Sequence, residues 1–277
     1  MLLTTQTKTL AISRPIIMGI LNATPDSFYN KGRDSDIDGL LRLADKMLTE
    51  GASILDIGGA STKPGQDIIS ADDELKRVIP VITAIHQRFP DAWLSVDTYN
   101  AKVAQEAVVA GASIINDVSA GRFDPAMLQT VAALKVPYIA MHMQGTPKTM
   151  QADPQYDDVV AEVRQYLYDI CDQCLDAGIK DVIIDPGFGF GKTVAHNFQL
   201  LGSLHTFTTL GRPILAGLSR KSMICKPLKV NPENALNGTT ALHIVALQQG
   251  ANILRVHDVK EARETITLFQ CLADENR

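Results

Sequence analysis

Eight short runs of apolar, often β-branched residues recur along the chain, and each ends in polar side chains. They read IIMGILN, SILDIGG, WLSVDT, SIINDV, PYIAMHM, DVIIDPG, PILAGLS and NILRVHD. Runs of this length, bounded by turn-forming residues, predict buried strands. Between them apolar positions return every three or four residues, as in DIDGLLRLADKMLTE and ADDELKRVIPVITAIHQRF. These stretches predict amphipathic helices, the second kinked at Pro80. One joint repeats: GASI begins at Gly51 and again at Gly111, and GANI at Gly250. Glycine there ends a helix in the left-handed conformation and feeds directly into a strand. Strands alternating with helices pair in parallel, and eight such units close most simply as an α/β (β/α)8 TIM barrel. A doubly wound open sheet is the alternative, but no G-x-G-x-x-G follows the first strand. The turn-like residues before Pro15 predict a short N-terminal hairpin closing the barrel bottom. No Pro/Ser-rich linker interrupts the pattern, so residues 1–277 are expected to form a single domain.

Composition narrows the function classes. A formal net charge of −5 argues against non-specific nucleic-acid binding, which needs a basic surface. An anionic small molecule still fits if cations cluster locally. Four cysteines in a chain this long make no disulfide framework. Cys171 and Cys174 form a C-x-x-C inside a helical run, away from any helix N-terminus that would stabilise a thiolate, and read as structural. The N-terminus lacks a cleavable apolar core, and no run approaches the ~20 apolar residues of a membrane span. A cytoplasmic protein with no membrane partner is expected.

In a TIM barrel the chemistry sits at the C-terminal ends of the strands. Those ends carry Asn22, Asp56, Asp97, Asn116, His142, Asp185, Ser219 to Lys221, and Arg255 with His257. Asp97, Asn116 and Asp185 offer carboxylate and amide groups suited to the N–H edge of a flat heterocycle. Lys63, Arg220, Lys221, Arg255 and His257 suit an anionic group, and phosphate commonly docks at the later strands. A heterocycle bearing a phosphate or pyrophosphate satisfies both halves. Some members have plainer readings: Asp56 as a partner to neighbouring loops, His142 as a satisfied inner-barrel histidine, and Arg220 as a structural ion pair. His86, His196, His205 and His243 fall in or beside helices. No His/carboxylate spacing supports zinc. DPGFGFGKT imitates a phosphate-binding loop, but the first glycine of that motif would fall at position 186, which is Pro186. Gly191-Lys192-Thr193 therefore reads as the start of the next segment.

The segments MGILNATPDSF, DIGGASTKPG, SVDT, INDVSA, MHMQGTPKTM, DPGFGFGKT, GLSRKSMI and RVHDV stand in this order from about Ile16 to Val259. Together they resemble the dihydropteroate synthases, the pterin-binding TIM-barrel family. That resemblance implies a transferase of folate biosynthesis. The family joins p-aminobenzoate to 6-hydroxymethyl-7,8-dihydropterin pyrophosphate with Mg²⁺, giving 7,8-dihydropteroate and pyrophosphate, and is the target of sulfonamides. It further implies that Asp97, Asn116, Met141, Asp185 and Lys221 line the pterin pocket. Asn22, Thr62, Lys63, Arg255 and His257 would take the pyrophosphate, with Asn22 also facing the metal. Thr62, Pro64, Phe190, Lys221 and Ser222 would frame p-aminobenzoate. Lys221, Lys63, Asp97 and Arg255 would carry the catalytic roles, in a homodimer.

Two loops depart from the family pattern. Asn30 and Lys31 stand where the first-strand loop usually has aspartate and glycine, and Lys63 stands where the second usually has arginine. Lysine keeps the charge but loses the two-pronged grip of the guanidinium. The runner-up reading is therefore a non-catalytic pterin-binding paralogue. A pterin-dependent methyltransferase on the same barrel is a third, opposed by GLSRKSMI and the p-aminobenzoate wall.

Overall fold

The computed structural model describes residues 1–23, 33–60 and 69–274. Asn30, Lys31, Thr62, Lys63 and Pro64 lie outside them. All eight expected strands form: β3 (Ile16–Asn22), β4 (Ile54–Gly58), β5 (Trp93–Asp97), β6 (Ile114–Asp117), β7 (Tyr138–Met141), β8 (Val182–Asp185), β9 (Leu215–Ala216) and β10 (Ile253–Val256). They pair in parallel in the order β8-β7-β6-β5-β4-β3-β10-β9. A parallel bridge between Ile184 and Ile214 joins the two ends, so the sheet closes on itself as a barrel.

The helices α1 (Arg33–Glu50), α2 (Ala71–Arg88), α3 (Ala101–Val109), α4 (Met127–Leu134), α5 (Val159–Ala177), α6 (Val194–Gly202), α7 (Ser222–Leu228), α8 (Leu236–Gln248) and α9 (Val259–Asp274) surround it. Their starts follow local chemistry. Ser70, Asn100, Asp158 and Thr193 each cap a helix by accepting from backbone N–H groups of the first turn. The repeated joint behaves as its sequence implies: Gly51, Gly111 and Gly250 have φ of 106°, 120° and 96°. At Gly111 a Cβ would also fall 2.4 Å from the His86 ring, so no other residue fits there. Pro80 sits on the exposed side of α2, where the lost hydrogen bond opens to water.

Alternation along the strands builds the interior in layers. Met18, Ile54, Trp93, Ile114, Ile139, Ile183, Leu215 and Ile253 form one buried apolar layer. Leu3 and Ile12 pack onto it from the N-terminal segment, where β1 (Leu2–Thr4) pairs antiparallel with β2 (Thr9–Ala11). This is the expected hairpin, and it closes the barrel bottom. A larger apolar shell lies between strands and helices and holds Cys171 and Cys174, both free and buried in α5. Burial pushes both thiols up, which makes them poor nucleophiles.

Two residues further along, the inward positions turn polar on β4, β5, β6, β8 and β10, with Asp56, Ser95, Asn116, Asp185 and Arg255. Register places Asp56 opposite Ser95, Asp97 opposite Asn116, and Met141 opposite Asp185, all toward the C-terminal mouth.

Candidate active site

The mouth is organised around one guanidinium. Arg255, on β10, donates from Nε to Asp56 Oδ2 at 2.7 Å and from Nη2 to Asp97 Oδ2 at 2.7 Å. Asn116 Nδ2 donates to the same Asp56 oxygen at 3.1 Å. Four strands that sequence separates widely are thus tied by one buried network. Among the described residues the two carboxylates share the Arg255 cation, and the buried Asp56 Oδ1 and Asp97 Oδ1 have no hydrogen-bond partner. Burial pushes the Asp97 carboxyl above the ordinary range; Arg255 pulls it back, and Asp56 adds to the rise. An unsatisfied buried acceptor is costly, so a ligand donating N–H groups here gains affinity by satisfying it.

Asp185 forms the second polar centre. Its Oδ1 accepts the Gly187 N–H at 2.7 Å. Burial raises its pKa, opposed first by Lys221 and then by the Gly187 N–H, Arg255 and Lys192. Gly217 borders both groups: a Cβ there would lie 3.5 Å from Lys221 Nζ and 4.0 Å from Asp185 Oδ2, at ordinary contact distance. Lys221 is the residue before α7; its Nζ donates to the Phe188 carbonyl and lies 4.7 Å from the Phe190 ring centroid. Burial lowers its pKa to about 8, with Asp185 resisting. Met141 is buried in a small apolar cluster with Tyr99, Val118, Met143 and Met150, against which Phe123 and Phe190 pack. A flat ring bounded by Asp97, Asn116 and Asp185 would meet a sulfur-rich, adaptable wall.

At the rim, His257 donates its backbone N–H to Ser219 Oγ at 3.2 Å, and Ser219 Oγ lies 2.9 Å from His257 Nδ1. Where the serine hydroxyl donates its hydrogen bond to Nδ1, Nε2 carries the N–H of the neutral ring. Reduced hydration of the ring, then Arg255 and Arg220, hold its pKa below the usual value. Asn22 is exposed at the end of β3, and Ser222 is exposed at the first position of α7.

The chain matches the "Pterin binding enzyme" family over residues 18–257. It is 48% identical to the dihydropteroate synthase of Haemophilus influenzae over 269 residues, covering 96% of this chain and 97% of that one. The chain belongs to the dihydropteroate synthase family. Solved structures agree. The dihydropteroate synthase of Yersinia pestis with a sulfonamide drug complex superposes with a TM-score of 0.93 at 44% identity, over 99% of this chain and 100% of that chain. That of Xanthomonas albilineans in complex with 7,8-dihydropteroate superposes with a TM-score of 0.89 at 41% identity, over 99% of each chain.

Within this family frame, Asp97, Asn116, Met141, Asp185, Lys221, Arg255 and His257 meet at one mouth, as the strand-end reading anticipates. Thr62, Lys63 and Pro64 lie outside the described residues. Arg220 does make an ion pair, donating from Nη2 and Nε to Asp258 at 2.6 and 2.9 Å. Arg220 sits in a left-handed turn at φ 57°, beyond the end of β9. Asp56 proves central where sequence left it undecided. Lys192, passed over as the start of the next segment, is fully buried and holds the turn after β8. Glu74 of α2 is buried, and burial pushes its carboxyl up to about 7 against the pull of the Thr98 hydroxyl and Arg77. Its place four residues after the capping Ser70 hid it, because a charged residue in the first turn of a surface helix reads as a solvated one.

Proposed function

We propose that the chain condenses 6-hydroxymethyl-7,8-dihydropterin pyrophosphate with p-aminobenzoate, giving 7,8-dihydropteroate and pyrophosphate. The observation that carries this is the joining of Asp97, Asn116, Asp185 and Lys221 at the mouth of a barrel whose relatives are dihydropteroate synthases. The pterin's N–H edge pairs with Asp185 and reaches the Asp97–Asn116 side, with Met141 on the ring face. A carboxylate taking parallel N–H bonds fixes the ring's orientation. That brings the exocyclic carbon toward the rim, where Arg255 and the Nε2–H of His257 meet the pyrophosphate. As the C–O bond breaks, the electron-rich ring supports positive charge on that carbon, and the cations stabilise charge on the leaving group. The aniline nitrogen of p-aminobenzoate, held beside Phe190, Lys221 and Ser222 with Thr62, Lys63 and Pro64, attacks and then loses a proton. Lys221 touches both halves of the site.

Mg²⁺ fits this site as a companion of the pyrophosphate. Asn22 presents a hard amide oxygen from the end of β3, and Mg²⁺ typically combines one or two protein ligands with substrate phosphates and water. Bound there, the ion would supply neutralising charge to the leaving pyrophosphate. Among the described residues no helix is long and apolar enough to cross a membrane. We take the chain to be one cytoplasmic domain working as a homodimer, on the strength of the family resemblance. The Yersinia pestis structure with a sulfonamide drug supports extending the same reading to sulfonamide binding. The test is turnover: the protein with the pterin pyrophosphate, Mg²⁺ and p-aminobenzoate should form dihydropteroate and pyrophosphate in equal amounts. Normal pterin binding with no product would support the non-catalytic paralogue instead.

A further inference from the structure

The turn after β8 is held by side chains at every one of its carbonyls. Lys192 Nζ donates to Gly187 O and Phe190 O, both at 3.0 Å, Lys221 donates to Phe188 O, Gln151 to Gly189 O, and Tyr156 to Gly191 O. Lys192 is the innermost of these. Its Nζ also lies 2.9 Å from His142 Nδ1 and 3.4 Å from His142 O, and the residue is 3% exposed. Burial and the neighbouring Lys192 charge push His142 far below its ordinary pKa, so its ring is neutral, and in the tautomer with the proton on Nε2 its Nδ1 accepts from Lys192. With that tautomer Lys192 Nζ faces three acceptors at 3.0 Å or less; burial pulls its pKa well below the usual lysine value, and the nearby Asp185 carboxylate is the first charge to hold it up. A neutral amine has two hydrogens and a lone pair, and would set that lone pair against an acceptor; an ammonium serves all three.

The turn matters because both of its ends belong to the site. Gly187 gives its N–H to Asp185, and Phe190 walls the Lys221 ammonium. Gly187 packs so tightly on β7's end that a Cβ would fall 1.9 Å from His142 O. We propose that Lys192 is a positioning residue for pterin recognition: a buried ammonium that clamps the 187–191 turn, aims Asp185 and Phe190, and offsets the Asp185 charge. This role rests on the pterin assignment of Asp185. It also gives the lysine of the imitation phosphate loop a task without phosphate: it gathers carbonyl oxygens of its own chain.

Lys192→Met keeps the length of the side chain and removes the ammonium. Calorimetry with a pterin lacking the pyrophosphate should show at least tenfold weaker binding, with the acid limb of the affinity profile moved to higher pH. The groups that face Asp185 are Lys221 before α7, Arg255 on β10, the Gly187 N–H, neutral His142 and Lys192; losing Lys192 removes one cation, so Asp185 takes up its proton earlier as pH falls. Affinity within twofold of wild type, or an equal loss at every pH, would overturn the proposal. Asp185→Ala is the companion: if it binds pterin normally, the pterin assignment itself fails, whereas a dead Asp185→Ala beside a normal Lys192→Met rejects only the clamp. Should Lys192→Met not fold, nitrogen NMR on wild-type protein with labelled lysine decides. One lysine should carry slowly exchanging ammonium protons at pH 8, and a neutral-amine shift for Lys192 would reject the role.

Discussion

Replacing Asp185 with asparagine separates pterin recognition from folding more sharply than alanine does. In the native site Oδ1 is engaged by the Gly187 N–H, and Oδ2 lies toward Lys221. Asparagine keeps an oxygen for Gly187, so the turn remains satisfied. Its NH₂ then occupies the Oδ2 position and presents a donor to the pterin's N–H edge. The lost interaction is a charge-assisted pair, about 1.5–3 kcal/mol per hydrogen bond to a charged group, and two donors now oppose each other. A loss near 3 kcal/mol corresponds to about 150-fold in affinity. Asp185→Ala should lose as much affinity and also strand the Gly187 N–H, destabilising the fold by about 1–3 kcal/mol. Calorimetry with a pterin lacking the pyrophosphate reads the first quantity, and urea unfolding reads the second. Affinity within threefold of wild type in both variants would refute the assignment of Asp185.

Lys221→Met should weaken pterin binding and also abolish single-turnover product formation. Because burial holds this lysine at about 8, wild-type kcat/KM should fall as pH rises through that value, and normal turnover in Lys221→Met would demote it to a structural residue. Asp56→Ala should destabilise the protein by about 3 kcal/mol in urea unfolding, since Arg255 and Asn116 both lose their shared acceptor; a cost under ~1 kcal/mol would contradict the network. Burial raises Glu74 to about 7, so the native state holds a proton that the unfolded chain releases above its ordinary value near 4.5. Its contribution to stability falls as pH rises between those values, by about 3 kcal/mol at ~1.4 kcal/mol per unit. Glu74→Gln should therefore be more stable than wild type at pH 8 and nearly equal to it at pH 4, and a pH-independent difference would reject the reading. Restoring the usual family residues with Asn30→Asp, Lys31→Gly and Lys63→Arg should change turnover within about tenfold, or ~1.4 kcal/mol of barrier; a silent wild type revived by the triple variant would favour the paralogue.

The barrel was legible because its signals are local. A period of two in the strands, glycine at each left-handed joint and polar residues at the strand ends all lie within a few residues of one another. Alternation also put Asp97, Asn116 and Asp185 on the inner face, so their meeting at the mouth followed from strand ends, whereas the pterin proposed for them came from the family resemblance. What sequence could not show is which charges neutralise which. Arg255 reaches Asp56 and Asp97 across 199 and 158 residues, and only barrel closure brings them together. It read as a free cation for an anion, whereas in the ligand-free molecule two carboxylates already share it. Lys192 was hidden for a different reason: lysine almost never lies fully buried, and only the carbonyls of its own turn make burial tolerable here. Arg220 pairs with an acid as the sequence implies, but its partner was not legible, because the strand ends before it and Asp258 lies 38 residues away.

A crystal structure of this protein grown with 7,8-dihydropteroate tests the central claim most directly. The account predicts the pterin ring against Met141, its N–H edge within hydrogen-bond distance of Asp185 and reaching the Asp97–Asn116 side, with the p-aminobenzoate portion extending past Phe190 and Lys221. A pterin bound elsewhere on the barrel, or one at the mouth that leaves Asp185 without a ligand contact, would contradict it.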